Sequence, residues 1–345
     1  MSKDTPFVPV TVNCPICQQP SEQRYLKSKM FQPLEVENDQ HVASYQWENP
    51  TFAHVRPNFY HLWHCPACHY VDEKEVFRGQ DNCGGKLELL REKTLIATKA
   101  PGNLVGRLGQ AVRDRSEFVA VETAITTHLL AVFLQELLSP NMRQTGKIAR
   151  FYLRLAWLYR EKDALGAPEE TPSGFADYAA FLDEAAKQWP ALPRDEKTAI
   201  QTAAAMYEQD LNQRRTDDPK FEINVMNLLS CLHERAGRLQ DAMKYVRAVF
   251  SSAAKTRNGA KAAAQRGQSP EKMTALANWM NQAVEAASTR AEMLGELVFK
   301  EELPRAKEAV LQMGPVTAEQ VTAKLRELKF ANVTCTRVAA MFAKK

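Results

Sequence analysis

Residues 227–250 read NLLSCLHERAGRLQDAMKYVRAVF, from Asn227 to Phe250. Leu228, Leu229 and Leu232 recur at helical spacing and can face Ala242, Tyr245 and Val249 across a turn at Ala236-Gly237-Arg238. The small Ala242 and Gly237 let two such helices approach closely. The stretch therefore predicts a helical hairpin, and with it a mainly helical protein.

The same spacing continues on both sides. In 148–159 the apolar residues fall at Ile148, Phe151, Tyr152, Leu155, Leu158 and Tyr159, one face of a helix. The spacing predicts helices over 105–112, 117–138, 142–162, 173–188, 194–214, 219–236, 239–256 and 270–302. Pro140, Pro168, Pro172, Pro190, Pro193 and Pro219 punctuate them. The 227–250 hairpin resembles a tetratricopeptide unit, and 149–163 continued by 198–211 is a second, degenerate match around an insertion at 164–193. Any antiparallel helical bundle would give a similar pattern. Beyond 302, Pro304 and Gly314-Pro315 break the run, and two short helices follow near 317–329 and 333–343. Thr317 with Gln320 forms a capping box for the first.

Residues 1–95 have a different texture. They are rich in Pro, Asn and aromatics, with extended runs such as Phe7–Val12 and Glu73–Phe77. They also hold Cys14-Pro-Ile-Cys17 and Cys65-Pro-Ala-Cys68. Each CPxC unit can form a tight turn that aims two sulfurs at one point, with turn N–H groups donating to the thiolates. Two facing turns make a tetrahedral Cys₄ site with Zn–S distances of about 2.3 Å. Structural zinc (Zn2+) of this kind contributes on the order of 10–16 kcal/mol to folding. Iron in a rubredoxin-like site is the rival metal, and a redox dithiol the rival chemistry, although no thioredoxin-like βαβ setting accompanies it. Glycine often follows the second cysteine of such turns; here Gln18 and His69 stand there. His64, His69 and Cys83 are candidates for contacts around the ligands, while Cys231 and Cys335 sit at apolar helical positions and read as core. Between 45 and 70, Tyr45, Trp47, Phe52, Phe59, Tyr60, Trp63 and Tyr70 supply either the core of a small zinc domain or a recognition surface.

The expected fold class is thus mainly α: a small zinc-bound β/irregular head followed by a tetratricopeptide-like helical array. The expected domains are a zinc-ribbon-like head at 1–95, the helical domain at 100–302 and a helical appendix at 303–345. The order of Phe59, Tyr60, Trp63, Cys65 and Cys68, then Tyr152, Leu153, Arg154, Ala156, Trp157, Leu158, Tyr159 and Arg160, then Gly237 and Ala242, resembles a bacterial family known only as a domain of unknown function. The resemblance covers about residues 10–255. It implies a zinc-ribbon-like head on tetratricopeptide-like helices, and no activity.

Composition narrows the function. The chain has 345 residues and a formal charge of +4, too small an excess to argue for nucleic acid by itself. No apolar stretch is long enough to span a membrane, and the N-terminus lacks a signal-like segment. These features point to a cytoplasmic protein without membrane insertion. No P-loop, G-x-S-x-G or H-E-x-x-H motif is present. The segment Gly102–Gly109 reads as a helix start, and His128 and His233 as helix residues. The leading expectation is a non-enzymatic adaptor that holds a protein or peptide partner, with Tyr152, Trp157, Arg160, His233 and Arg235 as contact residues. One alternative is a nucleic-acid-binding regulator that uses the zinc head and basic C-terminal helices, with Lys324, Arg326, Lys329, Arg337, Lys344 and Lys345 on phosphates. The other is a metal-dependent enzyme. The basic run at 255–272 reads as a solvated or flexible connector, or as a docking site for an acidic partner.

Overall fold

The computed structural model describes residues 5–112, 118–165, 177–214, 218–313 and 316–342. The Gly314-Pro315 break, Lys344, Lys345 and the start of the 164–193 insertion lie outside them in whole or part. Contacts divide the chain into two units, Met1–Gln213 and Arg214–Lys345. The protein is mainly helical with small antiparallel sheets at the N-terminal head, as the sequence led us to expect.

The first unit opens with three hairpins. β1 (Phe7–Asn13) pairs with β2 (Pro20–Leu26), β3 (Phe31–Val36) with β4 (Val42–Trp47), and β5 (Leu62–His64) with β6 (Val71–Glu73), all antiparallel. Two-stranded sheets are marginal alone, so aromatic packing holds them. Phe7, Trp47, Phe52 and Val55 form a buried cluster with Phe31, Tyr45 and Tyr60 at its edge. Phe59, Trp63 and Tyr70 are buried too, so the aromatic stretch is chiefly core.

Helices follow: α1 (Lys74–Phe77), α2 (Leu87–Lys99), α3 (Leu104–Ala111), α4 (Val121–Glu136), α5 (Thr145–Leu165), α6 (Tyr178–Gln188) and α7 (Glu196–Gln213). The expected extended run at 73–77 is instead a strand end followed by the single turn α1, because Val76 and Phe77 need one buried face together. α2 lies where the sequence looked irregular. Its buried stripe is only Leu90, Thr94 and Ala97, too thin to register as a period. α4 is buried on nearly every side, its polar Glu122, Thr126, His128 and Gln135 included, and Ile125, Leu129 and Leu130 are fully buried. α5 packs on α4 and on α7.

The second unit begins with α8 (Pro219–Arg235), α9 (Leu239–Gln265) and α10 (Pro270–Leu311). α8 and α9 form the hairpin read from 227–250. Gly237 turns it at φ 74°: its N–H reaches Glu234 O at 2.9 Å and Arg238 N–H reaches His233 O at 2.8 Å. This is the Schellman arrangement that favours glycine. The 255–265 segment, expected as a connector, is the last three turns of α9, held by buried Ala260. α10 continues without a break past Pro304. Proline costs one helical hydrogen bond, but Ala306 and Val310 beyond it are buried against α11 (Ala318–Glu327) and α12 (Asn332–Phe342), which keeps the helix going. The capping box of Thr317 and Gln320 is formed. Among the described residues, no helix is long and apolar enough to cross a membrane.

Candidate metal centre

Both cysteine pairs sit at hairpin tips. Cys14–Cys17 joins β1 to β2, and Cys65–Cys68 joins β5 to β6. The two turns close with the same backbone bonds. Gln18 N–H donates to Cys14 O at 2.9 Å and Cys14 N–H to Gln19 O at 2.9 Å; His69 N–H donates to Cys65 O and Cys65 N–H to Tyr70 O, both at 2.8 Å. To complete the turn, Gln18 and His69 adopt φ of 62° and 60°, the left-handed region where glycine is at ease. The missing glycines therefore do not change the loop; the protein accepts the strain. Pro15 and Pro66 fix φ early in each turn, and Ile16 N–H points at the Cys14 sulfur at 3.4 Å.

The four sulfurs converge. Cys14 Sγ lies 3.6 Å from Cys68 Sγ, Cys17 Sγ lies 3.6 Å from Cys65 Sγ, and all four are within 4.8 Å of one another. A metal–sulfur tetrahedron with 2.3 Å bonds has an edge of about 3.8 Å, so the set fits one tetrahedral cation. Disulfides would need about 2.05 Å. Cys14, Cys65 and Cys68 are buried, and Cys17 is partly covered. Four thiols this close cannot all ionise unaided. Sharing a proton with Cys14 and Cys68 lowers Cys65, with N–H groups of Cys68 and Ala67 helping, while contact with Cys14 and Cys65 raises Cys68. A cation is what would let all four become thiolates. These four residues could hold a metal ion.

The histidines lie alongside. His64 and His69 stack with ring centroids 5.6 Å apart and planes 10° apart, with ring nitrogens at 3.4 Å. His69 packs over Gly109 of α3, where an added Cβ would stand 2.1 Å from its ring. The segment 102–109 is a helix start, capped by Asn103 on Val105 N–H, and its last glycine makes room for the cysteine turn. Two further bonds tie the turns in place. Gln23 donates to His64 O at 2.8 Å, and Thr98 of α2 donates to Cys68 O at 2.9 Å.

Cys83 belongs to a different cluster. Its sulfur accepts from Lys147 Nζ at 3.7 Å and lies 3.8 Å from Asp72 Oδ2 and 4.0 Å from the Tyr70 hydroxyl. Lys147 Nζ is 2.6 Å from Asp72 Oδ1, with both side chains almost wholly buried, and Tyr70 donates to Asp72 at 2.6 Å. Burial alone would depress Lys147, but the Asp72 charge outweighs it and keeps the ammonium; burial pushes the Cys83 thiol up to about 11. The group ties β6 to α5. It was missed from sequence, although a lysine beside Ile148 in the apolar stripe of α5 was the available signal.

The residues expected at a partner surface occupy varied positions. Tyr152 is buried and donates to Glu136 at 3.0 Å; Trp157 is buried and donates to Asp39 at 3.3 Å; His233 is buried and stacks on Tyr245 at 5.3 Å. Contact through these three would require the helices to open. Arg235 is exposed. Arg160 pairs with Glu37, with Asp39 at 2.8 Å and with Glu196 at 2.6 Å, so it clamps the tip of the β3–β4 hairpin onto α5 and α7. His41 completes that clamp between Glu37 at 2.5 Å and Glu161 at 3.1 Å.

The model of a family described as uncharacterized protein conserved in bacteria (DUF2225) matches residues 8–269, which takes in both cysteine turns and the α8–α9 hairpin. No curated protein and no solved structure matches.

Proposed function

The chain belongs to this family of proteins conserved in bacteria, and from that premise we propose that it is a non-enzymatic adaptor whose head is stapled by one structural zinc ion. The observation that carries the reading is the buried four-sulfur cluster. Four thiolates fill a tetrahedral shell and leave no position for a substrate or a catalytic water. Iron takes the same donor set; zinc is preferred because a closed staple needs no redox partner. The metal's task is then to fix the two hairpin tips, and with them the helices that contact them.

Partner binding falls to the helices. The α5–α7 and α8–α9 pairs support a tetratricopeptide-like reading, although α8–α9 spans 219–265 and so exceeds the roughly 34 residues of a typical unit. Within the second unit, a groove of about 490 Å³ lies between α9, α10 and α12. Met243, Val298 and Val333 supply its apolar floor, and Arg247, Glu292 and Arg337 its charged rim. This mixture suits a peptide segment with an apolar anchor and polar flanks.

The test has two arms. Elemental analysis of the purified protein should give one zinc per chain; iron in its place overturns the zinc assignment, and no metal removes the staple. Site-specific photo-crosslinking from position 243 in the native cell should capture a discrete protein, and Val333→Asp should abolish that product. A product unchanged by Val333→Asp, or none across growth conditions, removes the adaptor reading.

A further inference from the structure

Beyond Asp241 in its first turn, α9 carries charge of one sign. From Ala242 to Pro270 the sequence has no acidic residue, while Lys244, Arg247, Lys255, Arg257, Lys261 and Arg266 are basic. All but Arg257 are exposed. Among the described residues none of the six has a carboxylate partner: Arg257 bonds Asn258 and Asn281, and Lys244 lies over the Tyr245 ring. The C-terminal helices differ. Lys324 pairs with Glu327 at 2.9 Å, and Arg337 pairs with Glu296. Uncompensated charge therefore gathers on α9, over much of the basic run at 255–272 that the sequence already offered as a docking site for an acidic partner.

The stripe is long and stiff. Lys244, Lys255 and Arg266 recur at three-turn intervals and share a side of the helix, spanning about 33 Å at 1.5 Å per residue. Val246, Val249, Ala253 and Ala260 bury the opposite side. Between the cations stand Ser251, Asn258 and Gln265, small groups able to hydrogen-bond phosphate oxygens.

Each class of polyanion asks for something different. A protein interface draws on aromatic or aliphatic anchors, and this face offers only Phe250, 48% exposed. A membrane-surface helix needs a free apolar side to insert, but α9 buries its own. Single strands are gripped by a series of aromatics on which successive bases stack, and this face has Phe250 alone among its exposed large side chains. A duplex needs cations and small polar groups, and the B-form major groove admits an α-helix whereas that of A-form RNA is too narrow. We propose that the exposed face of α9 binds the phosphate backbone of duplex DNA without sequence preference, independently of the metal centre.

The experiment is fluorescence anisotropy with a labelled, mixed-sequence 25-bp DNA duplex, titrated with the full chain at salt between 50 and 200 mM. With five cations engaged, log affinity should fall against log salt with a slope of about −4.5. Lys255→Gln with Lys261→Gln keeps good helix formers in place. It should weaken binding by more than about tenfold and flatten the slope by about 2. Lys93→Gln with Lys99→Gln on α2 removes the same charge from exposed sites elsewhere and should change neither. Circular dichroism confirms that each variant folds. Absence of binding at 50 mM salt overturns the proposal. So does equal loss in the two double variants, or stripe-dependent binding to phosphatidylserine vesicles or poly-glutamate that exceeds binding to the duplex.

Discussion

The imidazole of His69 occupies the space that a side chain at Gly109 would fill: an added Cβ would stand 2.1 Å from His69 Cγ. A loop of the cysteine cluster and the last turns of α3 are thus fitted to each other at contact distance. Gly109→Ala should destabilise the protein by about 1–3 kcal/mol, the usual cost of overpacking. Adding His69→Gly should recover most of that loss, since it removes the ring and relieves a left-handed residue. Chemical denaturation of the two single variants and the double variant measures the coupling; additive effects would show that the two residues do not share the space.

Removing one of the four cysteines tests the proposed staple. If the cluster holds zinc as proposed, Cys68→Ser should lower metal content to near zero, because three sulfurs and a weakly acidic hydroxyl hold zinc poorly. The two hairpin tips then lose their common anchor and should melt before the helices. The expected readout is loss of near-ultraviolet dichroism from the buried Trp63 and Tyr70 while the helical signal largely persists at moderate temperature. A strong chelator should reproduce this in the unaltered chain. Unchanged zinc content in the variant would exclude Cys68 as a ligand.

These two sites also mark how far sequence reasoning reached. The cysteine turns were legible because their logic is local: four residues determine where two sulfurs point. The long helices were legible because Ile148, Phe151, Tyr152 and Leu155 repeat the helical period whatever they pack against. α2 escaped because its buried stripe is one leucine, one threonine and one alanine. The Gly109–His69 fit and the Lys147–Asp72 pair escaped for another reason. Each joins residues at least forty positions apart, and one sequence carries no record of which distant residues meet. The Pro304 expectation failed because a local rule, one lost hydrogen bond, was outweighed by tertiary burial of Ala306 and Val310.

The Lys147–Asp72 pair should be costly to break from one side. Lys147→Met leaves a buried carboxylate whose remaining partners are Tyr70, the Cys83 thiol and the Glu73 N–H. A loss of roughly 3–5 kcal/mol is expected, as for other buried pairs deprived of one partner. Lys147→Met combined with Asp72→Asn should lose markedly less than the sum of the two single changes, because no uncompensated charge remains. Urea denaturation with a common slope for all variants is the check, and strict additivity would mean that the two groups do not interact.

The His41 clamp gives stability a pH dependence. Burial disfavours the imidazolium, but hydrogen bonds to Glu161 and Glu37 outweigh it, so the His41 pKa is raised above its ordinary value of 6.5. The Trp157 ring lies tilted beside it at 5.8 Å, and Arg160 opposes the charge while Asp39 pairs with Arg160. A raised folded-state pKa means that the folded protein binds the proton more tightly than the unfolded chain. The resulting stability is fully present below pH 6.5 and is lost as pH rises through the higher folded-state value. His41→Gln can keep some of the hydrogen bonding but cannot ionise. The melting temperature of the unaltered protein should therefore fall between pH 6 and pH 9 by more than that of His41→Gln, with the two curves converging once His41 is neutral. Parallel curves across that range would show that His41 is not the titrating group.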